Sequence, residues 1–236
     1  VQHRRPRIEL AMYVQAVPLL LRHPYIFVMP FLAAVVDLLL GRLSQLFTDP
    51  IGGAGGFLFQ IIVQVVYGFC FGVAVIGANI VWRRRRGSFD EAWEEGRQKA
   101  GGILIATIGF YFLLYVGGYI GSLVGSAALQ IVLQLVAAFF LIYTIPAAAI
   151  GGMPGNLAIG ASFRAARANL PGTAILAVVF VALWIGLPEL VTMRFAAGIG
   201  LTEYLLIQAA LKAIVLAYLA FPFAKQYDDI AFTGYW

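Results

Sequence analysis

Six stretches of this chain, at about 24–43, 57–82, 102–123, 127–150, 172–193 and 202–224, run for some twenty residues each with hardly a charge among them. Runs of that length match the thickness of a bilayer's hydrocarbon core. No water reaches that core to satisfy backbone N–H and C=O groups, so a lone segment must close its own hydrogen bonds, which a helix does. Barrel strands would need alternating ten-residue segments, and none occur here. Composition points the same way. Of 236 residues, 62% are hydrophobic and 11% charged, against roughly 45–50% and about 25% in a soluble domain. The expectation is an all-α integral membrane protein with six transmembrane helices.

Lysine and arginine collect on the cytoplasmic side of spans. One side here receives Arg4, Arg5, Arg7 and Arg22, then Arg83 to Arg86 with Arg97 and Lys99, then Arg164 and Arg167, then Lys225. The other receives only Arg42 and Arg194. Both termini and the two longer loops are therefore expected to be cytoplasmic. The net charge of +5 follows from this bias and does not argue for a nucleic-acid partner. The run Arg83, Arg84, Arg85 and Arg86 has two readings. It is a topology anchor, or a contact for anionic lipid head groups at roughly 1 kcal/mol per charge. The single Cys70 excludes an internal disulfide, and His3 and His23 offer no paired ligands within a span, so no metal and no cofactor is expected. Arg4-Arg5-Pro6-Arg7 is not followed by the apolar region of a cleaved leader.

A five-residue phrase recurs inside three of the runs: Gln60-Ile-Ile-Val-Gln64, Gln130-Ile-Val-Leu-Gln134 and Gln208-Ala-Ala-Leu-Lys212. Each places two polar side chains four residues apart on one helical face. Seventy residues separate the first two copies, and the same offset relates the intervening loops. Ser88-Phe-Asp-Glu91 has capping-box spacing for a helix start at Ser88. From there Phe89, Ala92, Trp93, Gly96 and Ala100 share a face, matched seventy positions on by Ile159, Ser162, Phe163, Ala166 and Leu170. Leu10, Tyr13, Val14, Val17 and Leu21 supply the corresponding apolar face near the N-terminus. Breaks at Arg22-His23-Pro24, Lys99-Ala-Gly101-Gly102 and Asn169-Leu-Pro171-Gly172 let the chain turn from lying on the membrane to crossing it. The pattern predicts three repeats of an amphipathic interfacial helix followed by a transmembrane hairpin, at about 7–82, 88–151 and 156–225. Three hairpins that must hide polar faces together make one membrane domain spanning 1–236. Gly117, Gly121 and Gly125, and Gly68 with Gly72, have the spacing that lets helices approach closely in lipid. Gly52 to Gly56 reads as a flexible linker.

A polar side chain in hydrocarbon needs a partner from another helix. The ammonium of Lys212 needs a counter-charge, and Asp37 lies at a similar depth, so the first and last spans should adjoin there. Glu203 is a second choice; Glu189 and Arg194 should pair with each other or with solvent. Gln60, Gln64, Gln130, Gln134, Gln208, Lys212 and Asp37 then either form interhelical contacts or line a small polar cavity. The contacts would contribute about 0.6 kcal/mol each. They lack the carboxylates and histidines of a proton relay and the charge rings of an ion pore. Nor does Ser122 or Ser126 have a histidine on its side of the membrane to act as base. No catalytic residue is expected, with a lipid-modifying enzyme as the lesser alternative.

The order of amphipathic helix, break and two spans, with Ser88-Phe-Asp-Glu-Ala-Trp93 and Ala161-Ser-Phe-Arg-Ala-Ala-Arg-Ala-Asn169 ahead of Pro171-Gly172, resembles a group of bacterial and archaeal six-span proteins. The group includes the membrane domain fused to some glycerophosphodiester phosphodiesterases. The resemblance implies a membrane module in a cytoplasmic (inner) membrane, with hydrolase chemistry confined to a separate soluble domain. The expected role is a non-catalytic scaffold or accessory subunit of a larger membrane complex, with the lipid bilayer and other membrane-protein subunits as partners. The tail Phe232-Thr-Gly-Tyr235-Trp236 would dock on such a subunit or rest at the interface. The alternative role is a small-solute or lipid transporter working through the polar interior.

Overall fold

The computed structural model describes residues 9–46, 53–195 and 200–232, less the side chains of 41–46, 53–60, 117, 118, 122, 189, 192, 193, 195, 201 and 232. No strand occurs among the described residues. The order is α1 (Ala11–Arg22), a 3-10 turn (Pro24–Phe27) leading into α2 (Val28–Leu46), then α3 (Gly53–Arg84). Next come α4 (Phe89–Gln98), α5 (Ala100–Leu123), and α6 (Ala127–Leu141) with α7 (Thr144–Ala149). Last are α8 (Gly155–Ala168), α9 (Leu170–Val181) continued by a π-helical stretch (Ala182–Gly186) and α10 (Leu187–Phe195), and α11 (Leu201–Phe232). Shorter helices, α1, α4 and α8, thus alternate with longer helical stretches. Four of the described helical segments are long and apolar enough to cross a membrane, and the number reaches six if α1 with α2, and α8 with α9, each form one span. Those two pairs bend by 96° and 116°.

The bends share a local cause. His23 (φ −126°, ψ 64°) and Asn169 (φ −138°, ψ 68°) adopt nearly the same non-helical conformation, each shortly before a proline that starts the next helix. Asn169 Oδ1 then accepts the Gly172 N–H at 3.3 Å and caps α9. At the middle bend Lys99 Nζ donates to Ala149 O at 2.8 Å, which satisfies a carbonyl at the end of α7. The expected cap at Ser88 is present, its hydroxyl accepting the Glu91 N–H at 3.2 Å.

Small residues decide which faces meet. Ala92 lies against Gly77, and Gly96 against Val73, so α4 crosses the last turns of α3. Their counterparts seventy residues on, Ser162 and Ala166, are buried too. Most of the apolar face expected for α1 at the membrane interface is left outside the packing of the protein. Leu10, Val14, Val17 and Leu21 are exposed, while Met12, Ala16 and Leu19 are buried. Both faces of α1 are apolar; the one with alanine at its centre lets helices approach, and the bulkier one is left for lipid.

One expectation changes, and two of the apolar runs contain irregularities. The glycines from Gly53 to Gly56 form the first turn of α3 rather than a linker. The run at 127–150 keeps span length from Ala127 to Ala149 but has a short break between α6 and α7. Ser162 fills that break, donating to Phe140 O at 2.7 Å and accepting the Tyr143 N–H at 3.0 Å. The run at 172–193 is interrupted by the π-helical stretch, two residues before Pro188. A proline has no N–H to return to the preceding turn, and a ladder shifted to i→i+5 is one way for helix to continue past it.

Around these breaks α11 packs along both α2 and α3, while α3 also packs on α5 and α7, and α6 on α9. One end of the bundle is charged. Arg83 pairs with Asp228 at 2.5 Å, Lys225 with Asp229 at 2.6 Å, and Lys225 lies 3.9 Å from Glu9. Trp82 Nε1 donates to Phe221 O at 3.0 Å, next to Pro222.

Glycines set the closest approaches, but with different neighbours. A methyl group at Gly68 would collide with the Thr107 side chain, whereas one at Gly121 would collide with the backbone of Gln130. Either Gly→Ala change should cost about 1–3 kcal/mol in thermal melts of detergent-solubilised protein. Thr107→Ala should rescue Gly68→Ala, and Gln130→Ala should fail to rescue Gly121→Ala. Equal rescue at both sites would contradict backbone contact at Gly121.

Candidate functional site

Lys212 and Asp37 meet. Lys212 Nζ donates to Asp37 Oδ2 at 2.7 Å, joining α11 to α2 across 175 residues of chain. By helical rise, about 1.5 Å per residue, Asp37 stands roughly 14 Å from the end of α2 and Lys212 roughly 16 Å from the start of α11. Both are deep within an apolar layer that is about 30 Å thick in a bilayer. Glu203 is exposed and is not the partner. The side chain of Glu189 lies outside the described residues, so its pairing with Arg194 does too.

A third group completes the site. Tyr67 on α3 donates its hydroxyl to the same Asp37 Oδ2 at 2.9 Å, and Lys212 Nζ lies 5.6 Å from the centroid of its ring. One carboxylate oxygen therefore accepts from two helices, while the ring face adds a cation–π contact to the ammonium. Trp184, in the π-helical stretch, meets Tyr67 edge to face at 5.3 Å. The sequence signal for Tyr67 was its phenol within an apolar run, one turn beyond Gln64. A buried tyrosine hydroxyl must find an acceptor.

The paired amides behave differently from one another. Gln208 is buried, and its Nε2 donates to Pro188 O at 3.0 Å and to Tyr204 Oη at 3.3 Å, within its own hairpin. Gln64 is half-buried, and its Oε1 is enclosed with no hydrogen-bond partner among the described residues. Gln130 and Gln134 are half-buried; the backbone of Gln130 packs on Gly121. The side chain of Gln60 lies outside the described residues. No bond joins the glutamines of different hairpins among the described residues. The ion pair joins α2 to α11, and among the described residues no glutamine bond extends that connection to α5 or α6.

The pair is also not sealed by its own chain. The side chains of Lys212 and Asp37 keep 29% and 23% of their surface open. At this depth such a surface meets lipid, water or another protein, and lipid is the costliest of the three for charge. The four arginines are separated in role. Arg83 binds Asp228, Arg84 binds Glu91, and Arg85 lies 5.5 Å over the Trp82 ring. No family model, no curated protein and no solved structure matches this chain.

Asp37→Asn or Lys212→Met leaves one charge stranded and should cost about 3 kcal/mol in a detergent melt. Exchanging the two, Asp37→Lys with Lys212→Asp, should recover more than half of that loss. Tyr67→Phe should cost about 1 kcal/mol. An exchanged protein no more stable than either single variant would show that the pairing contributes nothing.

Proposed function

We propose that this chain is a non-catalytic membrane scaffold or accessory subunit, whose partner helix covers the open side of the Asp37–Lys212 pair. In this reading three units, at about 7–82, 88–151 and 156–225, form six spans with both termini in the cytoplasm. The membrane is the cytoplasmic membrane of a bacterium or archaeon, and kinship with the membrane domains fused to glycerophosphodiester phosphodiesterases belongs to the same proposal. Support for the units comes from the thrice-repeated helix order and from the matching bends at His23 and Asn169. Support for the orientation comes from the gathering of Arg83, Lys99 and Lys225 at one end. Support for the role comes chiefly from an ion pair deep in an apolar layer with a quarter of its surface uncovered. A helix from another subunit removes that exposure without hydrating the bilayer interior. Tyr235 and Trp236, offered above as a docking tail, lie outside the described residues.

The second reading is a transporter in which water covers the pair. What favours it is the enclosed, unpartnered Oε1 of Gln64, one helical turn from Tyr67, a group that a water molecule or polar solute would satisfy.

Extraction from the native membrane with a lipid-retaining polymer separates the two. A scaffold should come out with a second membrane polypeptide in fixed ratio. Ala209→Cys, half-buried on the flank of Lys212 and placed in a Cys70→Ala background, should be shielded from a small water-soluble maleimide in that assembly. Recovery of the chain alone at 25.6 kDa, with rapid labelling at position 209, would reject the scaffold in favour of the transporter.

A further inference from the structure

A second charged feature lies at the other level of the bundle. Between the end of α3 and the start of α4 is an open cleft of about 420 Å³, lined by Arg84, Arg86, Gly87, Ser88 and Glu91. Its shape depends on a backbone conformation that side chains rarely adopt. Arg85 has φ +57°, the left-handed region, and so folds the arginine run back on itself instead of continuing α3. The turn divides the four guanidinium groups. Arg83 is tied to Asp228 and Arg85 lies over Trp82, so both face the body of the protein. Arg84 and Arg86 are left to line the cleft.

Their states differ. Arg84 Nη1 is bonded to Glu91 Oε1 at 2.5 Å, which neutralises that carboxylate and leaves other guanidinium donors of Arg84 unused. Arg86 forms no ion pair or hydrogen bond among the described residues. Two cations and one anion give the cleft a net positive charge. The level of the cleft is fixed by Tyr25, which sits at the bend into α2 and puts its hydroxyl against Gly87. That is the level at which the chain turns from surface helix to span. Aromatic rings also occur on α4, on the face away from Glu91. Phe89 stacks on Trp93 at 6.4 Å, and Trp93 meets Phe69 of α3 at 6.1 Å.

We propose that this cleft holds the phosphate of an anionic phospholipid, with Arg86 as the principal donor and Arg84 as the second. A phosphodiester brings one negative charge to a site with one net positive charge, and guanidinium groups match its paired oxygens. The level of the cleft, at the turn from surface helix to span, favours a lipid head group over a free phosphate. The proposal rests on the membrane-spanning reading and is independent of the scaffold role.

The test uses the full chain in nanodiscs of phosphatidylcholine with a minority of phosphatidylglycerol, and native mass spectrometry of the lipid that stays bound. Wild type should retain one phosphatidylglycerol in preference to phosphatidylcholine. Arg86→Gln should reduce that occupancy about five-fold, the ratio expected for one arginine contact at a lipid surface. The double variant Arg84→Gln with Glu91→Gln, which removes the pair without stranding the carboxylate, should weaken retention as well. Arg167→Gln, an exposed arginine on α8, should leave retention unchanged. Equal losses at Arg86 and Arg167 would reduce the effect to diffuse charge and overturn the site. Displacement of the lipid by millimolar inorganic phosphate would overturn the lipid as ligand. A chain that stays folded in nanodiscs and retains no phosphatidylglycerol would sink the cleft and leave the six-span reading standing.

Discussion

The ion pair between Asp37 and Lys212 carries the tertiary structure, because lipid supplies so little else to do so. Helices in a bilayer gain nothing from burying leucine against leucine, since acyl chains are equally apolar. A carboxylate and an ammonium are different. Separated, each would stand in hydrocarbon; together they meet at 2.7 Å, with the Tyr67 hydroxyl completing the acceptor. The partners lie on α2 and α11, so the contact closes the first hairpin against the last pass of the chain. Tyr67 adds α3 to the same carboxylate, and three helices are thereby set in register at one depth.

A second constraint acts at each crossing. Where backbones approach, the residue is small: Gly68 at Thr107, Gly72 at Ile103, Gly77 at Ala92, Gly121 at Gln130. This constraint also explains what could be read in advance. Spans, breaks and the Ser88 cap depend on local properties, hydropathy and turn chemistry, which are printed in the order of residues. The Asp37–Lys212 contact was legible because only a few groups at that depth can neutralise a charge. Which face of α1 meets protein was not legible from hydropathy, because Val14 and Ala16 are both apolar and only one of them permits close packing. Size, rather than hydrophobicity, distinguishes protein from lipid as a neighbour.

The glutamine phrase shows a different limit. Its recurrence at seventy residues suggests that the pairs share an environment, yet their surroundings have diverged. Gln208 is buried and donates to Pro188 O, while Gln130, at the matching position, is half-buried with its backbone against Gly121. A repeated amide marks a repeated position on a helix. It does not determine what the neighbouring helix offers, since that depends on residues in another copy. Where the last copy substitutes Lys212 for the glutamine, the demand for a partner becomes strong enough to choose one.

The π-helical stretch connects that choice to the break at Pro188. Proline withholds an N–H, and the helix continues past the gap by shifting its ladder so that the Leu187 N–H returns to Ala182 O. In the shifted segment Trp184 stands edge-on to Tyr67. The Pro188 carbonyl accepts from Gln208 on α11, one helical turn from Lys212. A single imino acid thus bears on both polar residues of the last phrase. It supplies an acceptor to the glutamine, and through the shifted turn it backs the tyrosine that shares Asp37 with the lysine. The irregularity of Ala182–Gly186 and the polarity of α11 are for this reason one local solution, built around a carboxylate of α2.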